Sequence, residues 1–331
     1  MLLEARTHHT GQAWLLFEGR RKSIKIQAFA GRPSTHKLNF FAPDFALSSP
    51  KPWLIGEEVK WSDGELLGLP FLVQRVRPDE NEFGGQHQDI LDHISRHEFQ
   101  KAVAVVFEDL EFAAPLEARM FSRALRPGQF TYGFEFLGEG ICGCTPELLF
   151  RVEGQKLFTM ALAGTALSTG PSLLEDPKER HEHQLVIDHI AEELKIYGVV
   201  NVGVTEERTY GKLKHLYTPV SVDLARPPEF MDLVRSLHPT AALGGWPKKS
   251  ALEWLGSQSF HSMRKRFGAP FGYQHGEQMV CVVAIRGIQW WGTRARTATG
   301  CGVVEQSIVR KEWKELELKR EAIYQMLGVS L

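Results

Sequence analysis

Apolar and polar positions along this chain change their spacing near Asp89. Upstream, short alternating pieces such as residues 24–29 (IKIQAF) lie between loops punctuated by proline and glycine, the pattern of brief strands. Downstream, residues 91–100 (LDHISRHEFQ) predict a short helix that leads into a strand over 101–107 (KAVAVVF). Residues 131–143 (TYGFEFLGEGICG) and 148–164 (LLFRVEGQKLFTMALAG) predict strands joined by tight turns at Gly140 and Gly154. Asp176 is a good N-cap, and Pro177 stands where a proline opens a helix. The helix that follows, 178–195, carries Val186, Ile190 and Leu194 on one face. Residues 279–291 (MVCVVAIRGIQWW) and 296–304 (RTATGCGVV) predict two late strands, and a closing helix runs from about Val309 to Leu327. Helices interrupt strands irregularly, so the pattern is mixed α and β without the alternation of a parallel doubly wound fold. Nothing between residues 80 and 331 reads as a linker, so one domain is expected.

Composition narrows the function classes. With 331 residues, 43% of them hydrophobic, the chain can bury a large core. A net charge of −1, from 39 basic and 40 acidic residues, makes no field to gather nucleic acid or a membrane surface, and neither is an expected partner. The first residues lack the basic-then-apolar order of a secretion signal. Four cysteines without a Cys-x-x-Cys pair read as reduced thiols, consistent with a soluble cytoplasmic protein.

Candidate chemistry clusters in the second half. Glu179 and Glu182 stand three apart on one helix face, and Glu312 and Glu315 repeat the spacing on the last helix, with Lys319 a turn further on. If the helices meet, four carboxylates make an all-oxygen site suited to Mg²⁺; otherwise they are solvated surface pairs. Zinc is not indicated: His181 and His183 point to different sides of a helix, and His-Glu-x-x-His is absent. His189 reads as a local packing or capping residue. The small run Gly300-Cys301-Gly302 would let backbone N–H groups approach an anion. Arg286 interrupts an apolar strand and would there bind either a structural partner or a ligand carboxylate. Lys101, opening an apolar run, could be desolvated enough to act as a base near neutral pH, and Glu147, if partly buried, could keep its proton. Each of the two also has an ordinary strand-end reading.

Taken together, these stretches resemble the chorismate-utilising family, which includes the large subunit of anthranilate synthase, aminodeoxychorismate synthase, salicylate synthase and isochorismate synthase. CTPELLFRVEGQ is similar to the family's Ser-Pro-Glu-Leu-Leu segment, MALAGTA to Pro-Leu-Ala-Gly-Thr, and KERHEHQLVID to the Lys-Glu-x-x-Glu-His helix. HLYTPV, LHPTAALGGWP, VVAIR, GCGVV and EWKELELK each have a counterpart in the same order. The resemblance runs from about Phe99 to the C-terminus. It implies a single chorismate-binding domain over 1–331, with residues 1–90 divergent and 91–331 matching. The implied fold is α+β, four layers (α/β/β/α) with two orthogonally packed antiparallel sheets between helices. It also implies one Mg²⁺ held by Glu182 and Glu315, with Glu179 and Glu312 direct or through water. Arg286 and the backbone of Gly300, Cys301 and Gly302 would hold the enolpyruvyl carboxylate, while Gly164, Thr165, His215, Ala242, Leu243 and Lys319 line the pocket. Lys101 falls where water-adding members carry lysine and amine-adding members glutamine. Ala242 falls where isochorismate synthases tend to have alanine. The resemblance thus implies an isomerase: an isochorismate synthase in which Lys101 activates water and Glu147 protonates the leaving hydroxyl. Menaquinone synthesis is the favoured destination and siderophore synthesis the second. A monomer without a glutaminase partner is expected. The alternatives are another chorismate enzyme, salicylate synthase or an amine-adding relative, and a non-catalytic chorismate binder.

Several positions leave the family pattern. Val106 replaces an arginine, Thr145 a serine, Ala161 a proline and Phe267 a common tyrosine, and no arginine follows Thr165. The family's Glu-Pro-Phe before the arginine corresponding to Arg264 reads Phe-His-Ser here.

Overall fold

The computed structural model describes residues 11–17, 20–34, 36–60, 67–121 and 129–327. The first stretch contributes β1 (Gly11–Phe17), β2 (Arg20–Ala30), β3 (Asn39–Phe41), β4 (Trp53–Glu58), β5 (Leu72–Val76) and α1 (Glu80–Ser95). Then come β6 (Lys101–Phe112), β7 (Phe130–Phe136), β8 (Glu139–Thr145), β9 (Leu148–Glu153), β10 (Lys156–Leu167) and α2 (Pro177–Leu194). They are followed by β11 (Gly198–Val202), β12 (Glu206–Tyr210), β13 (Leu213–Leu224), α3 (Phe230–Leu237), β14 (Gly245–Trp246), α4 (Lys248–Ser257) and α5 (Ser259–Met263). The chain closes with β15 (Pro270–His275), β16 (Gln278–Val283), β17 (Gly287–Trp291), β18 (Arg294–Val303) and α6 (Val309–Leu327).

Followed through its backbone hydrogen bonds, one antiparallel ladder begins with β6, edged by β5 and β14, and continues through β18, β17, β8, β7, β1 and β2. From β2 it passes to β4, β3, β15, β16, β9, β10 and β13, which β11 and β12 edge. The two halves of the ladder form two sheets that face each other. Tyr132 and Phe134 of β7 share one buried cluster with Phe271 and Tyr273 of β15, and the Tyr132 and Phe271 rings lie 5.4 Å apart. Outside the second sheet, α2 buries Val186, Ile190 and Leu194, as its spacing predicts, and α3 adds Phe230, Leu233 and Leu237. Outside the first, α1, α4 and α6 pack Ile90, Trp254 and Leu316 on β6 and β18. The architecture is therefore the expected four layers, helices on either side of two antiparallel sheets. Strands β1 to β5, from the divergent N-terminal part, belong to the same ladder. Among the described residues no helix is long and apolar enough to cross a membrane, and the four cysteines are buried.

Three details differ from the sequence reading. The helix before β6 starts at Glu80, not near Leu91, with Asp79 accepting from the backbone N–H groups of Asn81 and Glu82. Gly84 and Gly85 lower its intrinsic propensity, but Phe83, His87, Ile90 and Ile94 form a buried stripe at helical spacing that outweighs them. The β7–β8 turn falls at Leu137–Gly138, both in the left-handed region (φ 55° and 77°), and not at Gly140. Gly140 lies inside β8, where a Cβ would come within 2.3 Å of the Trp290 ring on the adjacent strand. The turn at Gly154 (φ 57°) is where it was expected. Finally, residues 279–291 are two strands. β16 belongs to the second sheet and β17 to the first, and Arg286, at φ 54°, lies in the break between them.

Candidate active site

The same change of sheet occurs twice, side by side. β8 ends at Thr145 in the first sheet and β9 starts at Leu148 in the second, with Pro146 and Glu147 between. The two crossings are tied together: the Val283 amide donates to the Glu147 carbonyl at 3.1 Å, and the Cys144 amide donates to the Arg286 carbonyl at 3.2 Å. Both side chains line one cleft. Gly164, Thr165, Glu182, His215, Ala242, Leu243, Gly300, Gly302, Glu315 and Lys319 line it as well. Cys301 points away, into the core between β18 and the helices outside it. Glu179 and Glu312 lie in the neighbouring groove between the first turns of α2 and α6.

Glu147 is 4% exposed and accepts a 3.3 Å hydrogen bond from the Thr240 hydroxyl. Burial pushes its carboxyl up to about 7, against the opposing pull of that hydroxyl and of the Lys101 and Lys319 ammonium groups. It therefore exchanges a proton near neutral pH. His215 is neutral: burial and the Arg286 charge lower it to about 3. Its Nδ1 lies 2.8 Å from the Gly164 carbonyl and its Nε2 3.2 Å from the Arg286 guanidinium. This pairing fixes the tautomer, with Nδ1–H donating to Gly164 and Nε2 accepting from Arg286. No carboxylate pairs with Arg286 among the described residues, so its planar fork is available to an acidic ligand in the cleft. Lys319 donates to the Gly300 carbonyl at 2.8 Å and pairs with Glu315 at 2.5 Å.

Lys101 is fully buried at the start of β6 and does not itself line the cleft; its Nζ lies 2.9 Å from Glu182 Oε1. This approach depends on Gly302 of the neighbouring strand. A Cβ there would lie 2.2 Å from that carboxylate oxygen and 2.5 Å from Lys101 Cε. Gly164, at φ 70°, serves similarly on β10, where a Cβ would meet Glu179 Oε2 at 2.9 Å and the Thr165 amide donates to that same oxygen.

The four glutamates come together, but not around an empty centre. Glu179, Glu182 and Glu312 close on the ammonium of Lys178 at 3.0–3.1 Å. Among the described residues no metal-ligating cluster is preformed. The donor set nonetheless suits a hard divalent cation. Burial and mutual repulsion raise Glu179 and Glu312 to about 7 each despite Lys178. Burial would raise Glu182 too, but the Lys101 and Lys178 ammonium groups together hold it well below the usual carboxylate range.

Residues 67–328 match the family profile described as chorismate binding enzyme. The chain belongs to this family. It is 32% identical over 199 residues to the salicylate biosynthesis isochorismate synthase of Pseudomonas aeruginosa, covering 56% of this chain and 41% of the relative. It is 28% identical over 254 residues to isochorismate synthase MenF of Bacillus subtilis, covering 71% and 53%. With anthranilate synthase component 1 of P. aeruginosa it shares 27% over 256 residues, covering 73% and 52%. The chain thus spans about half the length of the curated relatives it matches. In fold it is similar to the menaquinone-specific isochorismate synthase MenF of Escherichia coli, with a TM-score of 0.82 at 21% identity over 97% of this chain and 90% of that one.

Sequence reasoning missed Lys178, whose neighbours Glu179 and Glu182 were singled out, and Thr240, whose signal was its place beside Ala242 in LHPTAALGGWP. The Thr240 loop is held from α2, where His189 Nδ1 accepts from the Ala241 amide at 2.8 Å; this is the local role expected of His189. Arg264 lies behind the loop. It is fully buried, donates to the Leu243 carbonyl and lies 3.5 Å from the Phe45 ring centre, while its Nε and Nη1 have no hydrogen-bond partner among the described residues. Burial alone lowers it to about 9. Replacing an unpaired buried charge with a flexible apolar side chain removes its desolvation cost, so Arg264→Met is expected to stabilise the fold by roughly 1–4 kcal/mol in urea unfolding. A loss of stability would show that the guanidinium has a partner other than those described.

Proposed function

We propose that this protein is an isochorismate synthase, an isomerase that adds water at C2 of chorismate as the C4 hydroxyl departs. The observation that carries the reading is Glu147, a buried carboxyl at about 7 opening into a cleft that also presents Arg286, which has no carboxylate partner among the described residues. A carboxylic acid kept protonated near neutral pH is what a departing hydroxyl requires. Arg286, oriented by neutral His215, would bind the enolpyruvyl carboxylate, with the Gly300–Gly302 backbone beside it. Gly164, Thr165, Ala242, Leu243 and Lys319 would shape the pocket around the ring. Glu182 and Glu315, with Glu179 and Glu312, would hold Mg²⁺, which would anchor the ring carboxylate and offset charge as the double bonds shift. Lys101, paired as an ammonium with Glu182 in the resting protein, would serve as the base for the attacking water as the neutral amine, after its own proton has been released and Glu182 has turned toward the cation. A lysine at this position, and the isochorismate synthases among the relatives, favour water over ammonia as nucleophile. The MenF proteins among them point the product toward menaquinone synthesis.

Incubation of the purified protein with chorismate and Mg²⁺, followed by chromatography, is expected to give isochorismate in equilibrium with chorismate and no accumulation of pyruvate. Abundant salicylate, or anthranilate formed only with ammonia, would overturn the assignment in favour of another reaction of the family.

A further inference from the structure

Lys178 sits where a cation would. Its Nζ is 3.1 Å from Glu179 Oε1, 3.0 Å from Glu182 Oε2 and 3.0 Å from Glu312 Oε1. Two of these acids come from α2 and the third from α6, so one ammonium satisfies carboxylates from both helices. The lysine side chain is 15% exposed and reaches the cluster along the groove between the first turns of α2 and α6, whose walls include Asp176, Gln306 and Lys311. An ammonium and Mg²⁺ make the same demand, several hard oxygens at short range. Three carboxylates cannot close to the roughly 2.1 Å that Mg²⁺ requires while an ammonium separates them. Both acids of α2 are also held at their other oxygen, Glu182 by Lys101 and Glu179 by the Thr165 amide.

We propose that Lys178 is an internal plug of the cation site: its ammonium and a divalent cation compete for the same carboxylates, and the cation enters only when Lys178 withdraws into the groove. The inference rests on the cation site proposed above and adds a property to it. Metal affinity is reduced by the fraction of molecules in which the plug is seated. A lysine that merely bolts α2 to α6 would have no such effect, because its loss would lower stability without tightening metal binding.

Mn²⁺ binding to the full chain, without substrate, tests this by counting free Mn²⁺ by electron paramagnetic resonance. Lys178→Gln is expected to bind Mn²⁺ about 10- to 100-fold tighter than the parent. A second measurement uses the parent protein itself, in case the variant folds poorly. Amine acetylation followed by peptide mass spectrometry should show Lys178 becoming several-fold more reactive on addition of Mg²⁺, while exposed Lys195 does not change. Equal or weaker Mn²⁺ binding by the variant, or Lys178 reactivity indifferent to Mg²⁺, overturns the plug and leaves the cation site standing. Failure of both proteins to bind Mn²⁺ overturns the site and the plug together.

Discussion

Glu147→Gln is expected to slow isochorismate formation by about 10²- to 10⁴-fold while the protein stays folded and still binds chorismate. Glutamine keeps the shape and can still accept from Thr240, but it carries no acidic proton for the departing hydroxyl. In the parent, kcat/KM should fall as pH rises through about 7, because the acid must be protonated to act and its carboxyl ionises there. The same shift acts on stability. Between the usual 4.5 and about 7 the native state keeps a proton that the unfolded chain releases, so stability declines across that window and the full cost is present above it. Above pH 7, Glu147→Gln should therefore exceed the parent in stability by roughly 3 kcal/mol, an effect that unfolding at pH 5 and pH 8 would separate. A variant that turns over within a few-fold of the parent would remove Glu147 from the chemistry.

Lys101→Ala should have an effect of comparable size for a different reason. Turnover loses its base, about 10²- to 10⁴-fold, and the fold loses one partner of a buried ion pair, typically 3–5 kcal/mol. Among the described residues Glu182 would keep its 3.0 Å ion pair with Lys178. Chorismate turnover and calorimetric binding, measured on the same preparation, distinguish the roles: binding should survive where turnover does not. Turnover equal to the parent's would favour a chorismate binder whose lysine is purely structural.

Much of this was legible in the amino-acid order, and the reasons are local. Asp176 and Pro177 mark the start of α2 because cap and first-turn chemistry need only neighbouring residues. Val186, Ile190 and Leu194 mark its buried face because the period is intrinsic to the helix. The carboxylate pairs follow from the same period. What stayed hidden depends on partners far away in the chain. Lys178 reads as an ordinary first-turn charge until α6 brings Glu312 to it. Gly140 reads as a turn residue until Trp290, on a strand about 150 residues later, is laid over it. Residues 279–291 read as one strand because every position but Arg286 suits a strand, and only the presence of two sheets makes the break there necessary.

Glu147 and Arg286 are borne on two adjacent antiparallel crossings that share backbone hydrogen bonds, whereas the glutamates ride on the ends of separate helices. The acid and the guanidinium thus behave as a single jaw of fixed span, indifferent to small tilts of one sheet on the other. The carboxylates form a second jaw whose two halves can part independently. Whatever adjusts when a ligand or a cation arrives is built into the helical side of the cleft, and the sheet side supplies the ruler against which it closes.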